Sequence, residues 1–175
     1  TQYFDPADDR LREIRSFSSP LPSRARVAAD GRTVSTTSFV SGQSYADVGS
    51  TTETIVIVDD IESGSSLVGL NQFEVLDDGA GYNAAERQFW GVTFGPGDEF
   101  WVTGWFGDGP EIMRGNVDAR TMTPTGWDGS CPSLSPDGST LVFKETQPDD
   151  SFRLVAVDLD TGERRYLCLL YTSPS

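Results

Sequence analysis

Between residues 131 and 162, apolar and polar positions alternate in short runs broken by compact turns. Cys131-Pro132-Ser133-Leu134 leads into Ser135-Pro136-Asp137-Gly138, then into a run carrying Leu141 and Phe143. Pro presets φ and Gly supplies a positive φ, so this tetrapeptide predicts a tight turn between two strands. After an acidic loop, Leu154-Val155-Ala156-Val157 is apolar at every position, as expected of a strand covered on both faces. The turn Asp158-Leu159-Asp160-Thr161-Gly162 then opens a fourth and more polar strand, Glu163-Arg164-Arg165-Tyr166-Leu167.

The pattern recurs upstream. Phe94-Gly95-Pro96-Gly97 lies over Leu134-Ser135-Pro136-Asp137 at an offset of 40. Phe100 and Val102 fall over Leu141 and Phe143 at 41, which predicts a turn one residue shorter, and residues 112–118 lie over 154–160 at 42. An earlier copy opens at Ala28-Ala29-Asp30-Gly31-Arg32-Thr33-Val34, over 135–141 at 107. Its partner strand, Ile55-Val56-Ile57-Val58-Asp59, is expected over 154–158 at 99, so an insertion of eight residues falls around 41–54. A repeat of about 40–50 residues built on four strands is the mark of a β-propeller. The expected fold is all-β: about three four-stranded blades, at roughly 21–76, 77–126 and 127–167, after a partly irregular segment at 1–20. Only residues 6–16 carry a signal for a helical turn or two.

Composition narrows the partners. The chain has 27 acidic and 13 basic residues, a formal charge of −14. Nucleic acid and anionic membrane surfaces repel such a chain, which argues against both as partners. The acids come in scattered pairs such as Asp8-Asp9, Asp59-Asp60, Asp77-Asp78 and Asp149-Asp150, the pattern of a solvated surface. No apolar run approaches the ~20 residues of a membrane span, so no membrane insertion is expected within the segment. Thr1 reads as a cut in a longer chain, with any secretion signal upstream. The ending Cys168-Leu169-Leu170-Tyr171-Thr172-Ser173-Pro174-Ser175 resembles translated sequencing-adapter read-through, so 168–175 is expected to be a non-native tail and the chain an internal fragment. Cys131 and Cys168 would permit one disulfide; without Cys168, Cys131 reads as a lone small core residue.

The Leu-Ser-Pro-Asp-Gly turn followed by Leu-Val-Phe resembles the repeat of TolB-type six-bladed propellers, relatives of the WD-repeat propellers. Three stretches resemble, more narrowly, a group of uncharacterised actinobacterial TolB-like proteins. They are Ser38-Phe39-Val40-Ser41-Gly42-Gln43-Ser44-Tyr45-Ala46, Gln88-Phe89-Trp90-Gly91-Val92-Thr93-Phe94, and Cys131-Pro132-Ser133-Leu134-Ser135-Pro136-Asp137-Gly138. The likeness covers roughly 20–167, with Gly95-Pro96-Gly97-Asp98 a departure from Ser-Pro-Asp-Gly that implies a different turn type. The resemblance implies a periplasmic or secreted propeller of the cell envelope or exterior that acts through protein contacts. It carries no catalytic residues over to this chain.

The chemistry of the residues agrees. Histidine is absent, so neither a Ser-His-Asp triad nor a His-ligated zinc can be built from these residues. Phosphate-loop, dinucleotide and nucleophile-elbow motifs are absent as well. Asp77-Asp78-Gly79 with Asn83, and Asp158 with Asp160, are acidic enough to suggest calcium, yet both read better as turn residues bonding their own backbone. No catalytic, cofactor or metal residue is therefore expected. Of the aromatics at Phe89, Trp90, Phe94, Phe100, Trp101, Trp105 and Phe106, most fall on repeat positions that are apolar elsewhere and so belong to the core. The loop Trp105-Phe106-Gly107-Asp108-Gly109-Pro110 has less packing reason for its aromatics. Together with the inserted loop holding Tyr45, it is the expected partner-facing surface: Tyr45, Trp105, Phe106 and Asp108.

The expected function is non-enzymatic binding or scaffolding, with a protein, peptide or glycan ligand and no cofactor. The alternative is the gating propeller of a prolyl-oligopeptidase-type serine peptidase whose catalytic domain lies outside the segment; a third reading is the sensor domain of a larger membrane protein. Blades cut from a closed ring leave outer faces uncovered, and self-association is expected.

Overall fold

The computed structural model describes residues 2–5, 10–13, 21–42, 50–58, 66–77, 80–82, 87–107, 109–149 and 151–170. These residues are almost all in strands. The sole helical turn among them is a 3-10 turn at Leu70–Gln72. Near the start, β1 (Gln2–Asp5) and β2 (Arg10–Glu13) form an antiparallel hairpin, Phe4 opposite Leu11 and Asp5 opposite Arg10. The helical turn expected within 6–16 is therefore not what residues 10–13 adopt. A four-residue helix would close hardly one hydrogen bond against its nucleation cost, whereas a partner strand offers several.

Three larger sheets follow. The first runs β3 (Leu21–Val27), β4 (Thr33–Ser41), β5 (Thr51–Val58) and β6 (Ser66–Gly69) as consecutive antiparallel neighbours. The second holds β7 (Glu74–Asp77), β8 (Ala80–Tyr82), β9 (Gln88–Phe94), β10 (Glu99–Trp105), β11 (Pro110–Asn116) and β12 (Thr121–Asp128), in the order β8-β7-β12-β11-β10-β9. Its inner four strands are a meander of the same kind as the first sheet. β7 then adds to the outer edge in parallel, with Glu74 opposite Thr121 and Val75 opposite Met122. The third sheet is β13 (Ser130–Leu134), β14 (Thr140–Thr146), β15 (Phe152–Asp158) and β16 (Arg164–Leu170). Cys168, Leu169 and Leu170 pair with Leu154, Arg153 and Phe152, so β16 runs three residues into the stretch expected to be a tail.

The repeat is visible bond by bond. In the third sheet Ser135 N–H donates to Thr140 O at 2.8 Å and Gly138 N–H to Ser135 O at 2.9 Å. Ala28 N–H to Thr33 O at 2.8 Å and Gly31 N–H to Ala28 O at 3.0 Å repeat this 107 positions earlier. In the middle copy Gly95 N–H reaches Glu99 O at 2.8 Å, a turn one residue shorter, as the offsets predict. Phe100 opposite Gly115 and Val102 opposite Met113 match Leu141 opposite Val157 and Phe143 opposite Val155. One alignment needs correcting. Val34 pairs with Ile57, not Val58, so the offset of β5 is 100 and the first inserted hairpin is longer by seven residues, not eight.

Alternation explains how the sheets stack. On β10, Phe100 and Val102 enter a core shared with Val56, Leu70, Phe73 and Val75 of the preceding elements. Trp101 points the other way, into a second core with Leu141, Phe143, Val155 and Val157 of the third sheet. On β11, Met113 and Ile112 divide in the same manner. The middle sheet is thus covered on both faces, each fully buried aliphatic or aromatic side chain contributing about 1.5–3 kcal/mol. Gly115 is required by this packing: a Cβ there would lie 2.2 Å from the Phe100 ring.

The innermost strands meet at matched bulges. Opposite Val102, β9 bulges with Gly91 at φ 71°, and opposite Phe143, β13 bulges with Cys131 at φ 59°. Positive φ is uncommon for a residue with a side chain and is kept where surroundings hold it. Cys131 is half-buried on this inner strand and its thiol is free, so it is not the core residue expected of it.

Candidate binding face

Each sheet's second-to-third hairpin opens at one end of its strands. At that end Trp105 closes β10, opposite Gln88 of β9 and Pro110 of β11. Gln88 also accepts a hydrogen bond from Thr52 N–H at 3.1 Å. Thr52 and Thr54 hydroxyls both donate to Phe89 O, and Ser41 Oγ and Thr51 Oγ1 lie 2.9 Å apart across the base of the inserted hairpin. The feet of the two loops singled out in the sequence are therefore fastened to the same pair of residues, Gln88 and Phe89. Tyr45 and Asp108 themselves lie outside the described residues.

Trp105 and Phe106 are half-buried. Phe106 has a packing reason that its loop position hides: its ring meets Phe89 edge-on, centroids 5.9 Å apart. Its other side walls a cavity of about 240 Å³, lined also by Val75, Asp77, Glu111, Pro124 and Asp128. The cavity exists because β7 joins β12 and carries Val75 and Asp77 beside the β10–β11 loop. Glu111 and Asp128 are directly opposite each other across β11 and β12. One Glu111 carboxylate oxygen accepts Gly126 N–H at 2.7 Å, which orients it. Sequence reading had no signal for this shared lining, since the three carboxylates come from three strands.

The calcium candidates resolve differently. Asp158 Oδ1 accepts from Thr161 N–H at 2.8 Å, Thr161 Oγ1 at 2.9 Å and Asp160 N–H at 3.1 Å, the bonding of a turn residue. The Thr161 donors hold its carboxyl below the ordinary value. Asp78, Gly79 and Asn83 lie outside the described residues. Among the described residues no three His, Cys, Asp or Glu side chains are placed to hold a metal ion, and no helix is long and apolar enough to cross a membrane.

No family model and no curated protein matches this sequence, so the narrower likeness to actinobacterial proteins finds no counterpart there. Solved structures do match. TolB of Acinetobacter baumannii aligns at a TM-score of 0.60 and 16% identity, over 98% of this chain and 38% of that one. A candidate TolB of Agrobacterium tumefaciens aligns at 0.47 and 13%, over 93% and 71%. A puromycin-hydrolyzing peptidase of Mycobacterium tuberculosis aligns at 0.45 and 13%, over 98% and 32%. The chain thus spans about two-fifths of the Acinetobacter protein's length. Stacked four-stranded meanders with repeated turns and this structural likeness make the chain a TolB-like β-propeller fold, its three larger sheets the blades.

Proposed function

We propose that this propeller is a non-enzymatic binding module of the bacterial cell envelope or exterior, and that it engages a protein, peptide or glycan through the end carrying the inserted hairpin and the Trp105–Phe106 loop. The observation that carries the reading is the shared footing of the two loops on Gln88 and Phe89. Loops that vary on a rigid scaffold are where binding residues concentrate. A surface assembled from two neighbouring blades offers more area than either loop alone. The turns at the opposite end are short and self-bonded, as Asp137 and Asp158 show. What supports placement in the envelope is the resemblance of the turn motif to TolB-type repeats; the likeness of fold bears on the architecture alone.

Site-specific photo-cross-linking tests the reading. A photoreactive residue in place of Trp105 should yield adducts in envelope fractions, and one in place of Asp160, at the opposite end, should not. Adducts from Asp160 alone, or equal yields from both, would overturn it.

A further inference from the structure

The outer strands of the second and third blades are built alike but differ in what lies beside them. Gly115 opposite Met122 and Met113 opposite Pro124 recur 42 positions on as Val157 opposite Arg164 and Val155 opposite Tyr166. Both ladders then shift register at the same step, between Ile112 and Met113 and between Leu154 and Val155. On β12 the outer edge is taken by β7, whose Glu74 N–H donates to Arg120 O at 2.9 Å and whose Val75 lies opposite Met122 in parallel. Val75 and Met122 are both buried there. On β16, by contrast, every residue from 163 to 167 is exposed, the apolar Tyr166 and Leu167 among them, and β15 is its one neighbour among the described residues.

We infer that the outer edge of β16 takes an extended acidic segment of a protein partner as a further, parallel strand. β7 on β12 is the template: the same chain already seats a strand at the equivalent edge in that direction. Main-chain hydrogen bonds supply the affinity of strand addition, and neighbouring side chains supply its selectivity. Arg164 and Arg165 stand where β12 has Met122 and Thr123. Successive residues of an added strand point to opposite faces, so two consecutive carboxylates would lie one beside each guanidinium. Arg164 also pairs with Glu145, and its five donors leave room for a second carboxylate. Arg153 adds a third guanidinium to this margin, 5.3 Å from the centroid of the Tyr166 ring. The register shift after Tyr166 ends the regular ladder, so the added strand is short, as β7 is. The formal charge of −14 repels acidic peptides from the surface at large, so one that binds is held by a local site.

The probe is a fluorescein-labelled octapeptide with two central glutamates flanked by valines. One control has lysines in place of the glutamates; another keeps the glutamates and carries methylated backbone nitrogens, which preserves charge and blocks the ladder. Fluorescence anisotropy should show saturable binding of the unmethylated glutamate peptide alone, and amide shifts of the isotope-labelled protein should centre on 163–167. Arg165→Glu should weaken binding at least fivefold. Arg26→Glu, the same change of charge on the first blade, should alter it less than twofold, and circular dichroism melts confirm that both variants are folded. Equal binding of either control peptide, no saturable binding of the glutamate peptide, or shifts centred elsewhere would overturn the inference. Where copies of the chain pair through this edge at high concentration, saturating peptide should disperse them in sedimentation velocity. Pairing through 163–167 that the peptide leaves unchanged would assign the edge to a second copy and sink the proposal. Excess glutamate peptide present during cross-linking from Trp105 and Asp160 keeps the edge occupied, so envelope adducts at Asp160 still count against the loop-face reading alone.

Discussion

The backbone N–H of Cys131 donates a hydrogen bond of 2.8 Å to the hydroxyl of Thr103, a side chain with no exposed surface. The bond ties the inner strand of the third blade to the second strand of the middle one, and it holds Cys131 at a positive φ. A parallel joint links the first two blades, where Thr54 donates to Phe89 O. Buried threonines thus fasten blade to blade at a level where apolar packing alone would leave the bulged backbone without partners.

Thr103→Val keeps the shape and removes the acceptor. Leaving the Cys131 N–H unsatisfied should cost about 1–3 kcal/mol. Chemical denaturation of the two proteins would show it as a lower midpoint at unchanged slope, and an unchanged midpoint would mean the joint contributes nothing.

Gly115→Ala should destabilise through overpacking, by about 1–3 kcal/mol, because the added Cβ collides with the Phe100 ring. A second change, Phe100→Leu, relieves the collision. Combined with Gly115→Ala it should lose less than the two single losses added together. Additive losses would argue against direct contact.

Acid should loosen the turns before the cores. Asp137 is held below its ordinary 3.8, chiefly by the Ser135 hydroxyl and then by Ser139; Asp149 is held below the same value by Ser151, and Asp158 by Thr161. A carboxyl whose folded value is depressed stabilises the fold above its unfolded value, and that contribution is lost as pH falls from 3.8 through the lower folded value. Asp137→Asn should therefore lower the melting temperature by more at pH 7 than at pH 2. Equal deficits at both pH values would show that the charge is irrelevant.

Trp105 and Phe106 should separate by phenotype. Phe106 packs on Phe89, so Phe106→Ala should lower stability, by about 1–3 kcal/mol for a partly buried ring. Trp105→Ser should reduce partner cross-linking to the loop with a smaller change in melting temperature. The opposite ranking of melting temperatures would show that Trp105 is the structural residue of the two.

β16 pairs only with β15 among the described residues, and it carries Tyr166 and Leu167 at 58% and 46% exposure. An unpaired edge with apolar side chains invites strand pairing between molecules. Sedimentation velocity should show association that grows with concentration and that Leu167→Lys suppresses. A monodisperse parent at ~100 µM would contradict the expectation.

Turns and strands were legible in the residues because their causes are local. Asp137 bonds Ser135 and Ser139, two positions away on either side, and Gly138 supplies the positive φ that the turn needs. The apolar run Leu154-Val155-Ala156-Val157 announced a strand covered on both faces, whereas the division of β10 between two cores, Phe100 and Val102 on one side and Trp101 on the other, became visible only in the packed sheets. The one-residue error in placing β5 shows the limit of such reading: register is a property of the paired strands, and Val34 chose Ile57 across a long inserted hairpin. The cavity lay wholly beyond the sequence. Asp77 and Asp128 share its wall only because β7, after leaving the first blade, pairs in parallel with β12 of the second. That pairing joins segments some fifty positions apart, and nothing in the local pattern of either strand encodes its partner.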